Sequence, residues 1–326
     1  MPRKGEEGAA EGEATGKLVD IGCERTCSCP PSHLNCMSAK EWIKSQLGVW
    51  QFYYEGRDVR DKEHHPATFP IALARRVIDL FTHGGELVMD PFLGSGTTLL
   101  AAQDAGRNAV GFDINENYLE LARRRLEQAG SHDKGGKPGT ATAGPKDVEG
   151  RPGTTTTGAR QVAVHADARD IACYLAPGTV ALSLTSPPYA NLLNRQRLNK
   201  SRRNRKNEQY LKVEQYSQRP EDLGTLSIEK YGEAITEIYA RLLPLHREKA
   251  HCVINVADMW WENRRVPIHL HIVKAVEKAG FELRNTIIWD RTNIVNRVGI
   301  FGWPSNYITM GTTFEYILDF WRPPSK

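Results

Sequence analysis

Two short motifs combine residue types that could bind a nucleotide-like cofactor and a flat aromatic base. The first, Asp90-Pro-Phe-Leu-Gly-Ser-Gly-Thr-Thr98, is a glycine turn between an apolar run and a helical pattern. Backbone amides at the start of such a helix can face a polar ligand. The second, Thr185-Ser-Pro-Pro-Tyr189, places a hydroxyl, two rigid prolines and an aromatic ring at one point. These groups suit a planar base that carries an exocyclic amine.

The glycines of the first motif do not identify the cofactor by themselves. The lysine of a P-loop is absent, and so is the full Gly-x-Gly-x-x-Gly of dinucleotide-binding proteins. A second acidic residue, Asp113, ends the next apolar run, where a carboxylate can accept both ribose hydroxyls of an adenosine. The alternative is that Asp113 caps the helix that begins near Glu116. Asp167, after a third apolar run, is a weaker candidate for contact with the adenine amine.

The elements around these motifs alternate between strands and helices. The stretch from 86 to 129 is predicted to fold as strand, helix, strand and helix, which is typical of a doubly wound sheet. The predicted fold class is therefore α/β, with a mostly parallel Rossmann-like sheet. Further strands are predicted at 161–166, 180–184, 250–257, 282–289 and 313–321, and further helices at 71–81, 231–243 and 268–279.

The two motifs resemble those of the DNA amino-methyltransferases, which methylate N4 of cytosine or N6 of adenine. The first motif looks like their S-adenosylmethionine loop, and His65-Pro-Ala-Thr-Phe-Pro70 looks like the segment that closes over the methionine part. The resemblance runs from about residue 42 to residue 321, except for an insertion at about 130–160. It implies the methyltransferase type of doubly wound sheet and S-adenosylmethionine as cofactor. The cofactor contacts expected from it are His65, Pro66, Thr68, Asp90, Phe92, Gly94, Gly96, Thr97, Thr98 and Asp113, with Asp167 as the further candidate.

The second motif predicts how an amine could be methylated. An exocyclic amine is a weak nucleophile because its lone pair is delocalised into the ring. Ser186 Oγ and the Pro187 carbonyl can accept hydrogen bonds from the amine and draw the lone pair towards the methyl sulfonium. Pro187 and Pro188 fix the backbone that presents these acceptors, and Tyr189 can stack on a base extruded from the duplex. Transfer is then a direct displacement. The alternative for this motif is an ordinary strand-ending turn.

The identity of residue 186 favours one base over the other. Within the family, a serine at this position is commoner among cytosine-N4 enzymes, and aspartate or asparagine among adenine-N6 enzymes. We therefore expect a sequence-specific cytosine-N4 methyltransferase of a restriction-modification system. The alternative is methylation of adenine N6 on the same scaffold. The cofactor motif precedes the catalytic one here, whereas many N4 enzymes have the reverse order. A non-catalytic DNA-binding protein on the same fold is the alternative from a different class.

A cluster of cations follows the second motif. The net charge is only +4, but residues 195–206 contain seven cations and no acid. Such a run is often a solvated loop, yet phosphates beside an extruded base need cations. The predicted partner is double-stranded DNA, with a cognate restriction endonuclease acting separately. DNA contacts are expected in segments 190–225 and 292–310, and from Arg195, Arg197, Lys200, Arg202, Arg203, Arg205 and Lys206.

The remaining sequence indicates a flexible arm at 1–35 and a catalytic domain at 36–326, with a disordered insertion at about 130–160. No stretch approaches the roughly 20 apolar residues of a membrane span, and a cytoplasmic location is expected.

Four cysteines, at positions 23, 27, 29 and 36, lie close together in the sequence, and His33 lies among them. In a reducing compartment disulfides are not expected. Four thiols so close together could hold a metal, which is the alternative. The spacing of Cys23, Cys27, Cys29 and Cys36 lacks the paired C-x2-C of common zinc sites, so the sequence favours free thiols and no metal is predicted.

Overall fold

The computed structural model describes residues 18–59, 69–132, 158–190, 222–261, 264–294, 302–303, 307–308 and 311–325. The α-helices of these residues are α1 (Ala39–Ser45), α2 (Gly56–Val59), α3 (Ile71–Phe81), α4 (Thr97–Ala105), α5 (Glu116–His132), α6 (Ile228–Leu242) and α7 (Ile268–Lys278). The strands are β1 (Val49–Gln51), β2 (Leu87–Asp90), β3 (Asn108–Asp113), β4 (Gln161–His165), β5 (Val180–Thr185), β6 (His246–Val256), β7 (Met259–Trp261), β8 (Arg264–Val266), β9 (Glu282–Asp290), β10 (Gly302–Trp303), β11 (Tyr307–Ile308) and β12 (Phe314–Trp321).

One large sheet organises the described chain, with the strand order β1-β9-β12-β6-β5-β2-β3-β4. Within it, β12 runs antiparallel to both of its neighbours, and the other neighbouring pairs are parallel. The remaining described strands form two small hairpin pairs, β7 with β8 and β10 with β11. The expected doubly wound, mostly parallel sheet is confirmed.

Helices bury both faces of this sheet. Leu87 and Met89 of β2 face the core formed with α6 and α7, whereas Val88 faces the core formed with α3 and α4. This alternation follows from the strand period of two residues. Because both faces are covered, the central strands are near-continuous apolar runs, and every residue of β2 and β5 is buried.

The chain preceding α1 lies against the domain from residue 18 onward. Val19 N donates to Tyr174 O at 2.9 Å, and Thr26 N donates to Gly84 O at 2.8 Å. The arm predicted at 1–35 therefore has a described portion, 18–35, that is attached by backbone hydrogen bonds. Residues 1–17, and residues 133–157 of the expected insertion, lie outside the described residues.

The turn before α4 depends on a close approach between two helices. Gly96 caps α4 with φ of 82°, a left-handed conformation that side chains rarely adopt. A Cβ at this position would lie 2.7 Å from the Cβ of Ala122 in α5. Gly96 thus lets α5 pack against the glycine turn, which positions the loop between β2 and α4.

We expect Gly96→Ala to destabilise the protein more than Gly178→Ala. Both glycines have left-handed φ, 82° and 72°, but a Cβ at Gly178 would meet nothing within 4 Å. Left-handed backbone costs a non-glycine residue roughly 1–2 kcal/mol at either site, and overpacking at Gly96 adds about 1–3 kcal/mol. Denaturant unfolding measures both free energies. Equal losses would show that the contact with Ala122 imposes no packing constraint.

Candidate active site

The residues of both motifs meet at the carboxyl ends of the central parallel strands. Asp90 is the last residue of β2, Asp113 of β3 and Thr185 of β5, and Asp167 follows β4. Because these strands are parallel, their carboxyl ends lie at one edge of the sheet. Open α/β sheets bind ligands at this edge, where the strand order reverses. Here the order reverses beside β2, whose neighbours are β3 and β5.

A cavity of about 960 Å³, part of which is open to solvent, occupies this edge. It is lined by both motifs and by residues from three further segments: Phe69, Asp90, Pro91, Phe92, Leu93, Gly94, Ser95, Thr97, Asp113, Ile114, Tyr118, Ala166, Asp167, Ala168, Arg169, Ser186, Pro187, Pro188, Tyr189, Asp222, Leu223 and Ile238. The lining combines aromatic side chains with a few carboxylates and hydroxyls, which is typical of small-molecule sites.

The buried carboxylate of Asp90 joins the two motifs. Thr98 Oγ1 donates to Asp90 Oδ2 at 2.6 Å, and Thr185 Oγ1 donates to Asp90 Oδ1 at 2.6 Å. The backbone amide of Phe92 also donates to Oδ1, at 3.1 Å. Burial raises the pKa of Asp90 to about 6, although the hydrogen bonds from Thr185 and Thr98 lower it. Asp90 borders the cavity, but its two oxygens hold the glycine turn and the Ser-Pro-Pro-Tyr segment together.

Asp113 is half-buried and faces the cavity. Its Oδ2 accepts from Gly94 N at 2.8 Å and its Oδ1 accepts from Asn115 N at 2.8 Å. Burial raises its pKa to about 6, against the effect of these amides. The alternative role as a helix cap does not fit, because Asn115 directly precedes α5 and accepts from Asn117 N at 3.0 Å.

The other residues of the glycine turn divide into two groups. Gly94 and Thr97 line the cavity, whereas Gly96 and Thr98 lie outside the lining. Thr97 Oγ1 is buried and has no hydrogen-bond partner within the described chain. A buried hydroxyl without a hydrogen-bond partner costs free energy. At the edge of a cavity, such a hydroxyl can bind a polar group of a ligand.

Asp167 lines the cavity and caps a short 3₁₀ helix, Ala168–Cys173. Its Oδ1 accepts from Arg169 N at 2.9 Å, and its Oδ2 accepts from Arg169 Nη1 at 2.9 Å. The carboxylate therefore orders its own loop, and a direct role with the adenine amine would have to share these oxygens.

Four residues of the second motif also line the cavity. Ser186, Pro188 and Tyr189 are half-buried and Pro187 is buried. The Tyr189 hydroxyl accepts a hydrogen bond from Ala257 N at 3.0 Å, just after β6. This bond fixes the ring at the cavity wall, where a planar ligand could stack on it.

Several predicted residues lie outside the described part of the chain. These are His65, Pro66 and Thr68, and the cations Arg195, Arg197, Lys200, Arg202, Arg203, Arg205 and Lys206. Described residues that flank these two segments in the sequence border the cavity: Phe69 follows the first, and Tyr189 and Asp222 lie on either side of the second.

Some residues that line the cavity were not predicted from the sequence. Asp222 is only 3% exposed and accepts from Gly224 N at 2.8 Å. It belongs to no motif, and it reaches the cavity only through the fold. Phe69 could have been included, because it adjoins Thr68 in the segment expected to close over the cofactor.

No helix within the described residues is long and apolar enough to span a bilayer.

The sequence similarity to known proteins covers the part of the chain that contains the glycine turn. Residues 30–124 match a family model described as DNA methylase. The Type II methyltransferase M.ScaI of Streptomyces caespitosus is 44% identical over 88 residues, which cover 26% of this chain and 29% of that protein. DNA adenine methyltransferase YhdJ of Escherichia coli (strain K12) is 38% identical over 81 residues, which cover 25% of this chain and 28% of that protein.

The matched regions thus span less than a third of each of these two relatives. Among solved structures, TrmN from Thermus thermophilus aligns with a TM-score of 0.45 and 15% identity, over 80% of this chain and 51% of that one. The Ser-Pro-Pro-Tyr motif lies outside the family-model match, which contains Asp90, the glycine turn and Asp113. Residues 30–124, which include the glycine turn, are thus similar to DNA methylases.

Proposed function

We propose that this chain transfers the methyl group of S-adenosylmethionine to N4 of cytosine in a specific sequence of double-stranded DNA. The observation that carries the proposal is the shared cavity, which is lined by both the glycine turn and the Ser-Pro-Pro-Tyr segment. Asp90 holds these two segments together through Thr98 and Thr185. A methyl donor and an amine acceptor bound on the two walls would lie side by side, as group transfer requires.

The cofactor side of the cavity suits S-adenosylmethionine, which supplies an electrophilic methyl group. Asp113 presents a carboxylate at the end of β3, where it can accept hydrogen bonds from ribose hydroxyls. The buried hydroxyl of Thr97 offers a further polar contact. Phe92 and Tyr118 provide apolar surface around these groups. Asp90, Gly96 and Thr98 position this wall.

The acceptor side of the cavity suits an amine. Ser186 Oγ and the Pro187 carbonyl are acceptors for its two hydrogens, and the prolines hold the backbone that presents them. Accepting hydrogen bonds from the amine increases the electron density on its nitrogen. Tyr189, fixed by Ala257 N, offers a ring on which the extruded base can stack.

The choice of cytosine rests on residue 186. A neutral serine hydroxyl stands where adenine-N6 enzymes of the family more often have aspartate or asparagine. The relative YhdJ is described as an adenine methyltransferase, so methylation of adenine N6 is the second candidate. Both candidates use the same cofactor side of the cavity.

The course of the chain supports DNA as the substrate. It leaves the cavity wall after Ala190 and returns to it at Asp222, and the basic run 195–206 lies between them. In the sequence this run closely follows the Ser-Pro-Pro-Tyr segment, and phosphates beside an extruded base need cations. We include a separate cognate endonuclease as a partner, because M.ScaI is a Type II methyltransferase.

Ser186→Ala should lower the turnover of DNA methylation by roughly 10²-fold, as expected for loss of one well-placed hydrogen-bonding group. The affinity for S-adenosylmethionine should stay unchanged, because Ser186 lies on the acceptor wall. Radiolabelled methyl transfer to unmethylated bacterial DNA measures turnover, and calorimetry measures cofactor affinity.

Ser45→Ala, at the end of α1, is the matched control and should alter neither quantity. Undiminished turnover in Ser186→Ala would remove this hydroxyl from the mechanism.

Asp113→Ala should weaken S-adenosylmethionine binding by about 10–100-fold, because hydrogen bonds to a charged group contribute about 1.5–3 kcal/mol. Isothermal titration calorimetry of the purified protein gives the dissociation constant directly.

Asp170→Ala removes the same charge from an exposed residue after β4 and should bind the cofactor normally. Asp113 also accepts hydrogen bonds from two backbone amides, so its loss could destabilise the fold. The melting temperature of Asp113→Ala distinguishes such destabilisation from the loss of a cofactor contact. A well-folded Asp113→Ala protein with unaltered affinity would contradict the ribose role.

A further inference from the structure

The amino-terminal arm and the loop between α3 and β2 bring three thiols and an imidazole together. Atoms of Cys27, Cys29, Cys36 and His83 that could ligate a metal all lie within 4.8 Å of one another. Cys27 Sγ lies 3.5 Å from Cys36 Sγ and 3.4 Å from His83 Nδ1. Cys36 Sγ lies 3.8 Å from the same nitrogen.

These separations match those between ligands on a single tetrahedral ion. Zinc–sulfur bonds of about 2.3 Å and zinc–nitrogen bonds of about 2.0–2.1 Å place two sulfurs about 3.8 Å apart, and a sulfur and a nitrogen about 3.5 Å apart. Three cysteines and one histidine are a common ligand set of structural zinc sites. We propose that Cys27, Cys29, Cys36 and His83 bind one zinc ion.

The surroundings of the cluster suit anionic sulfur ligands. Gly84 N donates to Cys36 Sγ at 3.3 Å, and Arg25 Nε donates to Cys27 Sγ at 3.2 Å. Such hydrogen bonds orient ligands and stabilise thiolates around a metal. The backbone amide of His83 donates to Glu86 Oε2 at 2.6 Å, which orders the loop that supplies the imidazole.

A bound metal would add to the few contacts that hold the arm residues 24–37 against the domain. Residues 24–37 contain no helix or strand of the large sheet and no buried residue. Nevertheless they pass very close to the domain: a Cβ on Gly85 would lie 2.5 Å from Thr26 Oγ1. A segment with so little apolar burial gains order from a metal, whose binding free energy becomes folding free energy.

The position of the cluster indicates a structural role. His83 precedes β2, whereas Asp90 and the cavity lie at the other end of that strand. All four tetrahedral positions are filled by side chains, which leaves none for water or substrate. The ion would fasten the arm to the amino-terminal edge of the sheet.

The proposal differs from the expectation from the sequence, which favoured free thiols. The cysteine spacing lacks paired knuckles, and His33, which lies among the cysteines, is not part of the cluster. The fourth ligand, His83, is 47 residues beyond Cys36 and meets the thiols only through the fold.

The test is the metal content of the full chain, purified under reducing conditions and measured by inductively coupled plasma mass spectrometry. We expect about one zinc per chain, loss of that zinc in Cys36→Ser, and its retention in Cys23→Ser. Cys23 is the matched control, because it lies in the same arm but outside the cluster. Removing zinc by chelation should lower the melting temperature of the wild type and leave that of Cys36→Ser unchanged.

A second measurement covers the case in which Cys36→Ser does not fold. Metal-free wild-type protein is titrated with Co²⁺, which should give thiolate charge-transfer bands and the intense visible bands of a tetrahedral site, saturating at one ion per chain. Absence of both zinc and these bands would overturn the proposal, as would equal zinc in the two cysteine variants. A Cys27–Cys36 disulfide found by alkylation and mass spectrometry would overturn it as well.

Discussion

The carboxylate of Asp90 accepts hydrogen bonds from a hydroxyl on α4, a hydroxyl at the end of β5 and an amide in the glycine turn. Taking a carboxylate out of water costs several kcal/mol unless its oxygens are satisfied, so this arrangement tolerates little displacement. Thr98 and Thr185 are consequently held on opposite sides of one residue. The segments that these threonines begin or end both line the cavity. The glycine turn and the Ser-Pro-Pro-Tyr segment are therefore parts of a single structure.

This constraint separates residues that position the site from residues that face a ligand. Asp90 and Thr98 supply internal hydrogen bonds, and Gly96 supplies room for α5. Thr97 and Asp113 instead present polar atoms to the cavity. A family motif does not make this distinction, because both kinds of residue occur in one short run of sequence. The packing of α5 against the glycine turn explains why one glycine faces the cavity and the next faces a helix.

The parallel strands and the two motifs could be predicted from the sequence because their signals are local. Both faces of β2, β3 and β5 are buried, so each is an apolar run that ends in a polar residue at the ligand edge. Contacts between distant segments carried no such signal. Asp222 reaches the cavity after a long excursion of the chain, and His83 meets the arm cysteines across 47 residues. These contacts depend on the order of the strands in the sheet, which the spacing of residues along the sequence does not reveal.

The central proposal is that the hydroxyl of Ser186 receives the amine of cytosine in the cavity. The most direct measurement is nucleoside mass spectrometry of unmethylated bacterial DNA after incubation with the purified chain and S-adenosylmethionine. We expect 4-methylcytosine, which should be absent when the cofactor is omitted. A product containing only 6-methyladenine would contradict the role given to Ser186, and DNA without any methylated base would contradict the proposed activity itself.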